Sequence, residues 1–292
     1  MRKENIENFW SKNYKILMLI PIIIFIVSIM LIGIKIAKTG DFMNKDVTLK
    51  GGIAATVYTE QEFSELEIKN ALEVDSNIKK LSDIKTGKQI GFIIEVSDLS
   101  EERLRNILKE KLNLELTGEN FSVEETSPKL SQAFFKQLMI AIVFAFLLMG
   151  LAVFISFRTP IPSIAVISAA LMDVTITLAI VNIIGMDIST AGIVGFLLII
   201  GYSVDTDILL TTWAIKKRDF KLFDRMVHSA KTGLTMTFTA ITVMIIGVVF
   251  TNSVVIKEMF TIILIALITD IFTTYLTNAG ILWAYCKKKK IE

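Results

Sequence analysis

Four aspartates, Asp173, Asp205, Asp207 and Asp270, stand inside stretches of this 292-residue chain that are otherwise apolar enough to cross a membrane. A carboxylate at mid-bilayer costs roughly 2.5–3.5 kcal/mol on insertion scales, so acids there point to a proton relay, an ion path or a counter-charge for substrate. Asp173 is followed by Thr177 at i+4, and Asp270 by Thr274, Thr277 and Asn278 at i+4, i+7 and i+8. Each acid therefore heads a polar row on one helical face. Ser203, Asp207 and Thr211 make a third row, and Lys231, Thr235, Thr239 and Thr242 a fourth. Asp205 and Asp207 diverge by about 200° on a helix of 3.6 residues per turn, so both cannot face one partner. One is expected to carry protons and the other to be a structural acceptor, with the polar row favouring Asp207. Lys231 either pairs with an acid or snorkels to the membrane edge. The lone histidine, His228, is expected to be solvated.

The elements that position these residues follow from hydropathy. The chain is 53% hydrophobic with a mean hydropathy of +0.60. Six apolar runs approach the ~20 residues that a ~30 Å hydrocarbon core demands: Ile16–Ile34, Leu138–Phe157, Ile161–Ile184, Ser189–Ala214, Thr232–Phe250 and Met259–Tyr285. At a 1.5 Å rise per residue, Asp173 lies about 18 Å into the third helix and Asp270 about 16 Å into the sixth. Asp205 and Asp207 lie about 10–14 Å from the end of the fourth, so the acids share one layer. Such polar rows inside a bundle can hydrate a half-channel.

Basic residues set the orientation. Arg2, Lys3, Lys12 and Lys15 precede the first helix, and Lys216, Lys217, Arg218, Lys221, Arg225 and Lys231 lie around the fourth-to-fifth connection. Lys287 to Lys290 form the tail, whereas the opposite side holds only Lys257 among its short connections. Both termini are thus expected in the cytoplasm, residues 1–15 and 287–292 respectively, with the chain multi-pass in the cell membrane. The first apolar run is too long for a secretory signal and is expected to be a retained anchor. The single cysteine, Cys286, excludes an internal disulfide framework.

Residues 35–130 form a polar insertion, placed outside the cytoplasm by this topology and followed by a bundle over 131–286. Strands are expected at Ile53–Thr59, Ile78–Ile84, Gln89–Ser97 and Asn120–Thr126, and helices at Ser64–Leu72 and Ser100–Leu112. Ser64 and Ser100 open the two helices as capping residues. The order βαββαβ is that of a ferredoxin-like α+β domain. Thr86-Gly87-Lys88 suits the hairpin turn between the middle strands. Lys50-Gly51-Gly52 is too short for a phosphate loop and reads as a tight turn into the first strand. With acids outnumbering bases and no His or Cys, the domain suits interaction rather than chemistry, and nucleic acid is not an expected partner. No cofactor, metal site or enzymatic activity is expected, since an Asp-x-Asp metal motif belongs in a water-facing loop and not mid-helix.

Several motifs resemble the SecF branch of the SecD/SecF family, within the resistance-nodulation-division superfamily. They are Leu49-Lys50-Gly51-Gly52, Ser127-Pro128-Lys129-Leu130-Ser131, Phe157-Arg158 and Ala170-Leu171-Met172-Asp173-Val174. Gly201-Tyr202-Ser203 followed by acids and by Lys216-Lys217-Arg218, and Lys231-Thr232-Gly233-Leu234-Thr235, complete the set. Bacterial members place an acid where Thr206 stands and arginine where Lys231 stands; both variants look like the archaeal branch. The resemblance implies an accessory subunit of the Sec export machinery that pairs with SecD. It would act beside a SecY-type channel on a translocating polypeptide among membrane lipids. Asp173, Asp205, Asp207 and Asp270 would relay ions, with Lys231 as a charge partner and Ser203, Thr177, Thr235 and Thr274 as supporting groups. Two other readings stay open: a half-size efflux transporter of the same superfamily, and a passive translocon assembly factor.

Overall fold

Each apolar run becomes a helix, and most of the helices run further than the apolar residues that announce them. In the computed structural model, helix α1 (Arg2–Thr39) extends the expected 16–34 on both sides and passes through Pro21. Helix α5 (Pro128–Phe157) starts ten residues before Leu138 because Ser127 accepts a hydrogen bond from Leu130 N–H and Pro128 sets the first turn. Helix α6 (Pro160–Ile184) ends on left-handed Gly185, and α7 (Thr190–Ile215) starts from the Ser189 cap. Helix α8 (Leu222–Phe250) starts ten residues before Thr232 and takes in Arg225 and Lys231 of the fourth-to-fifth connection. The structure describes every residue except Met1, Asp75, Ile84, Lys85, Asp98, Arg218, Asp219, Asn252 and Glu292, and of residues 2 and 3 the backbone alone. Ile84, the expected end of a strand, and Arg218, in the basic motif, lie outside the described residues.

The expected sixth span falls on α9 (Val254–Phe272), a π-helical segment (Thr273–Asn278) and α10 (Ala279–Lys289), which follow one another without a break. Among the described residues, five helices are long and apolar enough to cross a membrane, namely α1, α5, α6, α7 and α8. The sixth differs in carrying Lys257, Glu258 and Asp270 within α9. Helices α6, α7 and α9 form the interior, while α1, α5 and α8 turn rows of large apolar side chains outward, including Ile23, Phe144, Leu148 and Phe238. The chain is a multi-pass membrane protein built around those three inner helices.

Between α1 and α5 lies a short helix α2 (Val47–Lys50) and an α+β domain. Strands β1 (Gly52–Tyr58), β2 (Ser76–Ser82), β3 (Gln89–Val96) and β4 (Phe121–Thr126) alternate with helices α3 (Glu65–Leu72) and α4 (Glu101–Leu112) in the order β-α-β-β-α-β. The sheet order is β2-β3-β1-β4 with every pair antiparallel. Burial alternates along β1, as the two-residue period of a half-covered strand requires. Ile53, Ala55 and Val57 meet Phe92, Ile94, Ile68 and Leu104 in the domain core. Ser64 and Glu67 form the expected capping box, whereas the Ser100 side chain makes no cap hydrogen bond and α4 starts without it. Gly87 takes a positive φ in the middle hairpin. The expected tight turn at Lys50-Gly51-Gly52 is the end of α2: Gly51 has φ 88°, and a Cβ there would lie 2.5 Å from Pro128 Cα. That glycine lets the root of the domain press against the start of α5.

Candidate functional site

The inner helices bring three of the four aspartates together. Asp173 on α6 and Asp207 on α7 are 0% exposed and Asp270 on α9 is 2% exposed, so none is left to solvent. Asp173 accepts from Ser203 Oγ at 2.5 Å and from Thr273 Oγ1. Asp207 accepts from Asn278 Nδ2 at 2.6 Å and from Thr274 Oγ1 at 2.9 Å. The same Thr274 hydroxyl lies 3.0 Å from Asp270 Oδ1, and Thr206 Oγ1 lies 3.1 Å from Asp270 Oδ2. Asp173 and Ser203 also border Asp270. The result is one network of three carboxylates, four hydroxyls and an amide, with no lysine or arginine among its hydrogen-bond partners within the described residues.

The donors come largely from the π-helical segment, which supplies Thr273, Thr274 and Asn278. A π turn widens the helix and shifts the facing of the residues after it, and such turns recur at functional sites. Thr273 serves Asp173 and Thr274 serves Asp207 and Asp270. Thr206 and Thr273 were not singled out as supporting groups in the sequence. The available signal for Thr206 was its place where an acid stands in bacterial relatives of the motif.

Asp205 lies apart, exposed on the outer side of α7, as the 200° divergence requires. It borders a cavity of about 450 Å³ that Thr206 and Asp270 also line, together with Thr235 and Thr239 of α8. Thr235 donates to Lys231 O on its own helix at 2.8 Å, so it reaches no acid directly. Thr177 is fully buried beneath the network, but its Oγ1 has no hydrogen-bond partner, and nor do Thr211 Oγ1, Asp207 Oδ2 or Asn278 Oδ1. Lys231 is exposed and borders a different cavity, at the Trp213 end of the bundle. The structure thus does not bring Lys231 to the acids. Among Gly192, Gly195 and Gly201 of α7, Gly192 makes the closest approach: a Cβ there would lie 2.3 Å from Glu258 Oε1. Gly201 faces open space.

A second polar cluster joins the domain to the membrane helices, and it had no periodic signal in the sequence. Asn77 Nδ2 bridges Glu95 Oε2 at 3.0 Å and Asp187 Oδ2 at 2.5 Å, while Lys79 pairs with Glu95 at 2.5 Å. Backbone bonds from Asp46 N to Ile188 O at 3.1 Å and from Ile188 N to Asn44 O at 2.9 Å run alongside. Burial pushes the Asp46 carboxyl up from 3.8 to about 6, against the opposing hydrogen bonds from Thr48. Burial raises Asp187 as well. Below this cluster, Ser189 N–H donates to Glu258 Oε1 at 2.8 Å and Thr190 N–H to Thr48 Oγ1 at 3.1 Å. The start of α7 is therefore tied both to α9 and to the root of the domain.

Residues 107–288 match the family described as Protein export membrane protein SecD/SecF, C-terminal. The chain is 35% identical over 281 residues to the protein-export membrane protein SecF of Methanocaldococcus jannaschii, covering 94% of this chain and 96% of that one. It is 33% identical over 284 residues to the SecF of Methanothermobacter thermautotrophicus, with 94% and 93% covered. Among solved structures it resembles the translocon-associated membrane protein SecDF of Thermus thermophilus, with a TM-score of 0.73 at 18% identity. That likeness covers 96% of this chain but only 38% of the SecDF chain, and at such identity it speaks to the fold alone.

Proposed function

The chain belongs to the SecD/SecF family of protein-export membrane proteins, on its SecF branch, and from that premise we propose that it is an ion-driven accessory of Sec-dependent polypeptide export. It pairs with SecD to complete a twelve-helix assembly beside a SecY-type channel in the cell membrane. The run from α9 to α10 is its sixth span, both termini are cytoplasmic, and the four-stranded domain is a ferredoxin-like module on the outer side that handles the emerging polypeptide.

The observation that carries the reading is a hydrogen count in the buried network. Thr274 has one hydroxyl hydrogen and faces an oxygen of Asp207 and an oxygen of Asp270 at near-equal distances. Thr206 likewise has one hydrogen, and faces both Ser203 O at 2.8 Å and Asp270. With carboxylates alone, each hydroxyl satisfies one acceptor and leaves the other short. A proton on an acid turns that acid into a donor and completes the chain, and its position selects which hydroxyl points where. Asp207 Oδ2 and Asn278 Oδ1 are two buried acceptors short of a donor in the same network, and unmet buried groups of this kind are costly.

Entry follows the cavity that Asp205, Thr235 and Thr239 share with Asp270. Exit of the proton changes the packing of α7 against α9, and the ties at Ser189 and Thr190 carry that change to the domain root. One charge crossing 100 mV contributes about 2.3 kcal/mol, enough to bias such a two-state packing. The test replaces Asp173, Asp205, Asp207 and Asp270 singly by Asn and measures gradient-dependent export in vesicles containing SecD. Asp173→Asn, Asp207→Asn and Asp270→Asn should lose the gradient response, while Asp205→Asn should weaken it. Full gradient dependence in all four would leave a passive assembly role as the better account.

A further inference from the structure

At the Trp213 end of the bundle, α1, α7 and α8 enclose a cavity of about 780 Å³ that plays no part in the acid network. Ile6, Trp213, Phe223 and Val227 give it apolar walls, and His228 and Lys231 stand on one side. Phe220 also lines it and is 61% exposed at the rim. His228 lies against Trp213 with ring centroids 4.3 Å apart and planes tilted by 45°, and Lys217 Nζ lies 5.6 Å from the same indole centroid. This histidine is exposed, as expected, and it stands beside the indole at the cavity. Lys231 has no ion-pair partner among the described residues, and Asp224 on the same wall is engaged by a partner of its own.

We infer that this cavity binds one anionic phospholipid, with the phosphodiester toward Lys231 and Lys217 and an apolar chain along Trp213, Phe223 and Val227. Basic pockets between membrane helices are the usual seats for such head groups, and the volume lies in the range of ligand clefts. Charge complementarity favours an anion over a zwitterion. The long aromatic and aliphatic wall favours a lipid over a free phosphate, which would gain nothing from it. Asp224 also lines the cavity and is itself partnered; its charge disfavours a multiply charged head, so a singly anionic phosphodiester of the phosphatidylglycerol type fits best. Lys231 then acts as a lipid ligand and not as the partner of a buried acid, which accounts for its distance from the network.

The test uses the full chain with Trp10→Phe and Trp283→Phe, so that Trp213 is the only indole, reconstituted in phosphatidylcholine vesicles. Brominated phosphatidylglycerol or brominated phosphatidylcholine is added at equal bromine density, and quenching of Trp213 is read. Phosphatidylglycerol should quench with about fivefold higher apparent affinity, the effect of roughly one basic contact. Lys231→Gln should equalise the two lipids, and Lys231→Arg, which keeps the charge, should retain the preference. Equal quenching in the parent, or a preference unchanged by Lys231→Gln, overturns the site. Relief of the preference by excess glycerol phosphate would reduce it to an anion site and overturn the lipid assignment.

Discussion

Replacing Thr274 by Val removes the hydroxyl between Asp207 and Asp270 while keeping the shape of the side chain. No cavity opens, so the cost is polar. The hydroxyl has one hydrogen to give, and a hydrogen bond to a charged acceptor contributes about 1.5–3 kcal/mol. Asp207 keeps Asn278 at 2.6 Å and Asp270 keeps Thr206 at 3.1 Å, so neither acid is stripped of donors. The expected loss of stability is therefore about 1.5–3 kcal/mol, too little to unfold a bundle held by its apolar interior. The loss of communication between the acids is of the same size, which corresponds to roughly 10- to 150-fold at 1.36 kcal/mol per decade.

The assay is translocation in vesicles with SecD, measured with and without an imposed gradient, beside thermal unfolding of the purified chain. Thr274→Val should unfold at a lower temperature yet remain folded, should keep gradient-independent translocation, and should lose the gradient-dependent part. Thr274→Ser retains the hydroxyl and should restore it. If Thr274→Val keeps its gradient response within about twofold of the parent, under 0.5 kcal/mol, the bridging hydroxyl carries no proton traffic and the reasoning fails.

Three further outcomes follow from contacts elsewhere. Gly192→Ala places a Cβ 2.3 Å from Glu258 Oε1 and 2.9 Å from Ile188 Cγ2. It should lower the unfolding temperature by the equivalent of about 1–3 kcal/mol, and a parental melting curve would count against the tight α7–α9 contact. Asp46 has its carboxyl raised from 3.8 to about 6 in the folded chain, so its contribution is full below about pH 4 and is lost as pH rises through about 6, by about 3 kcal/mol. Amide exchange at Asp46 and Ile188, corrected for intrinsic rates, should speed up across that window, and the rise should be smaller in Asp46→Asn, where Asp187 alone of the two raised carboxyls remains; an unchanged pH profile in the variant refutes this. Arg225 is fully buried and donates to Lys217 O and, at 2.8 Å, to Ile291 O. Arg225→Met should cost about 1–3 kcal/mol and hasten carboxypeptidase trimming of the tail, whereas unaltered trimming would show that the arginine does not hold it.

The helices and the α+β order could be read from the sequence because they rest on periodicity, which is local. The apolar runs marked the helical cores but not their ends. The ends at Ser127, Ser189 and Gly185 are set by caps, and caps are single residues. The four strands were located as short apolar stretches between turn residues; burial alternates strictly along β1 but not along β3, which is buried on both sides over much of its length. The polar rows from Asp207 and Asp270 were also local, and in the structure those rows do face each other. Their partners across helices were not legible: Thr206 meets Asp270 across 64 positions and Thr273 meets Asp173 across 100. The domain junction is harder still, because Asn77 reaches Asp187 across 110 positions with no repeat to announce it.

The run Asp205-Thr206-Asp207 shows why the pattern and the geometry had to be read together. Three consecutive side chains on one helix point in three directions, about 100° apart. Asp205 faces the α8 cavity, Thr206 faces Asp270, and Asp207 faces Thr274 and Asn278. Thr206 thus holds a hydroxyl that touches Asp270 on the neighbouring helix. Asp207 lies about one-third of a turn away, and Asp270 stands opposite. A threonine between two aspartates is consistent with a relay in which protons pass along hydroxyls between helices. In the proposed relay the acids would mark the ends of each step, and the hydroxyls at 206 and 274 would decide whether the step is made.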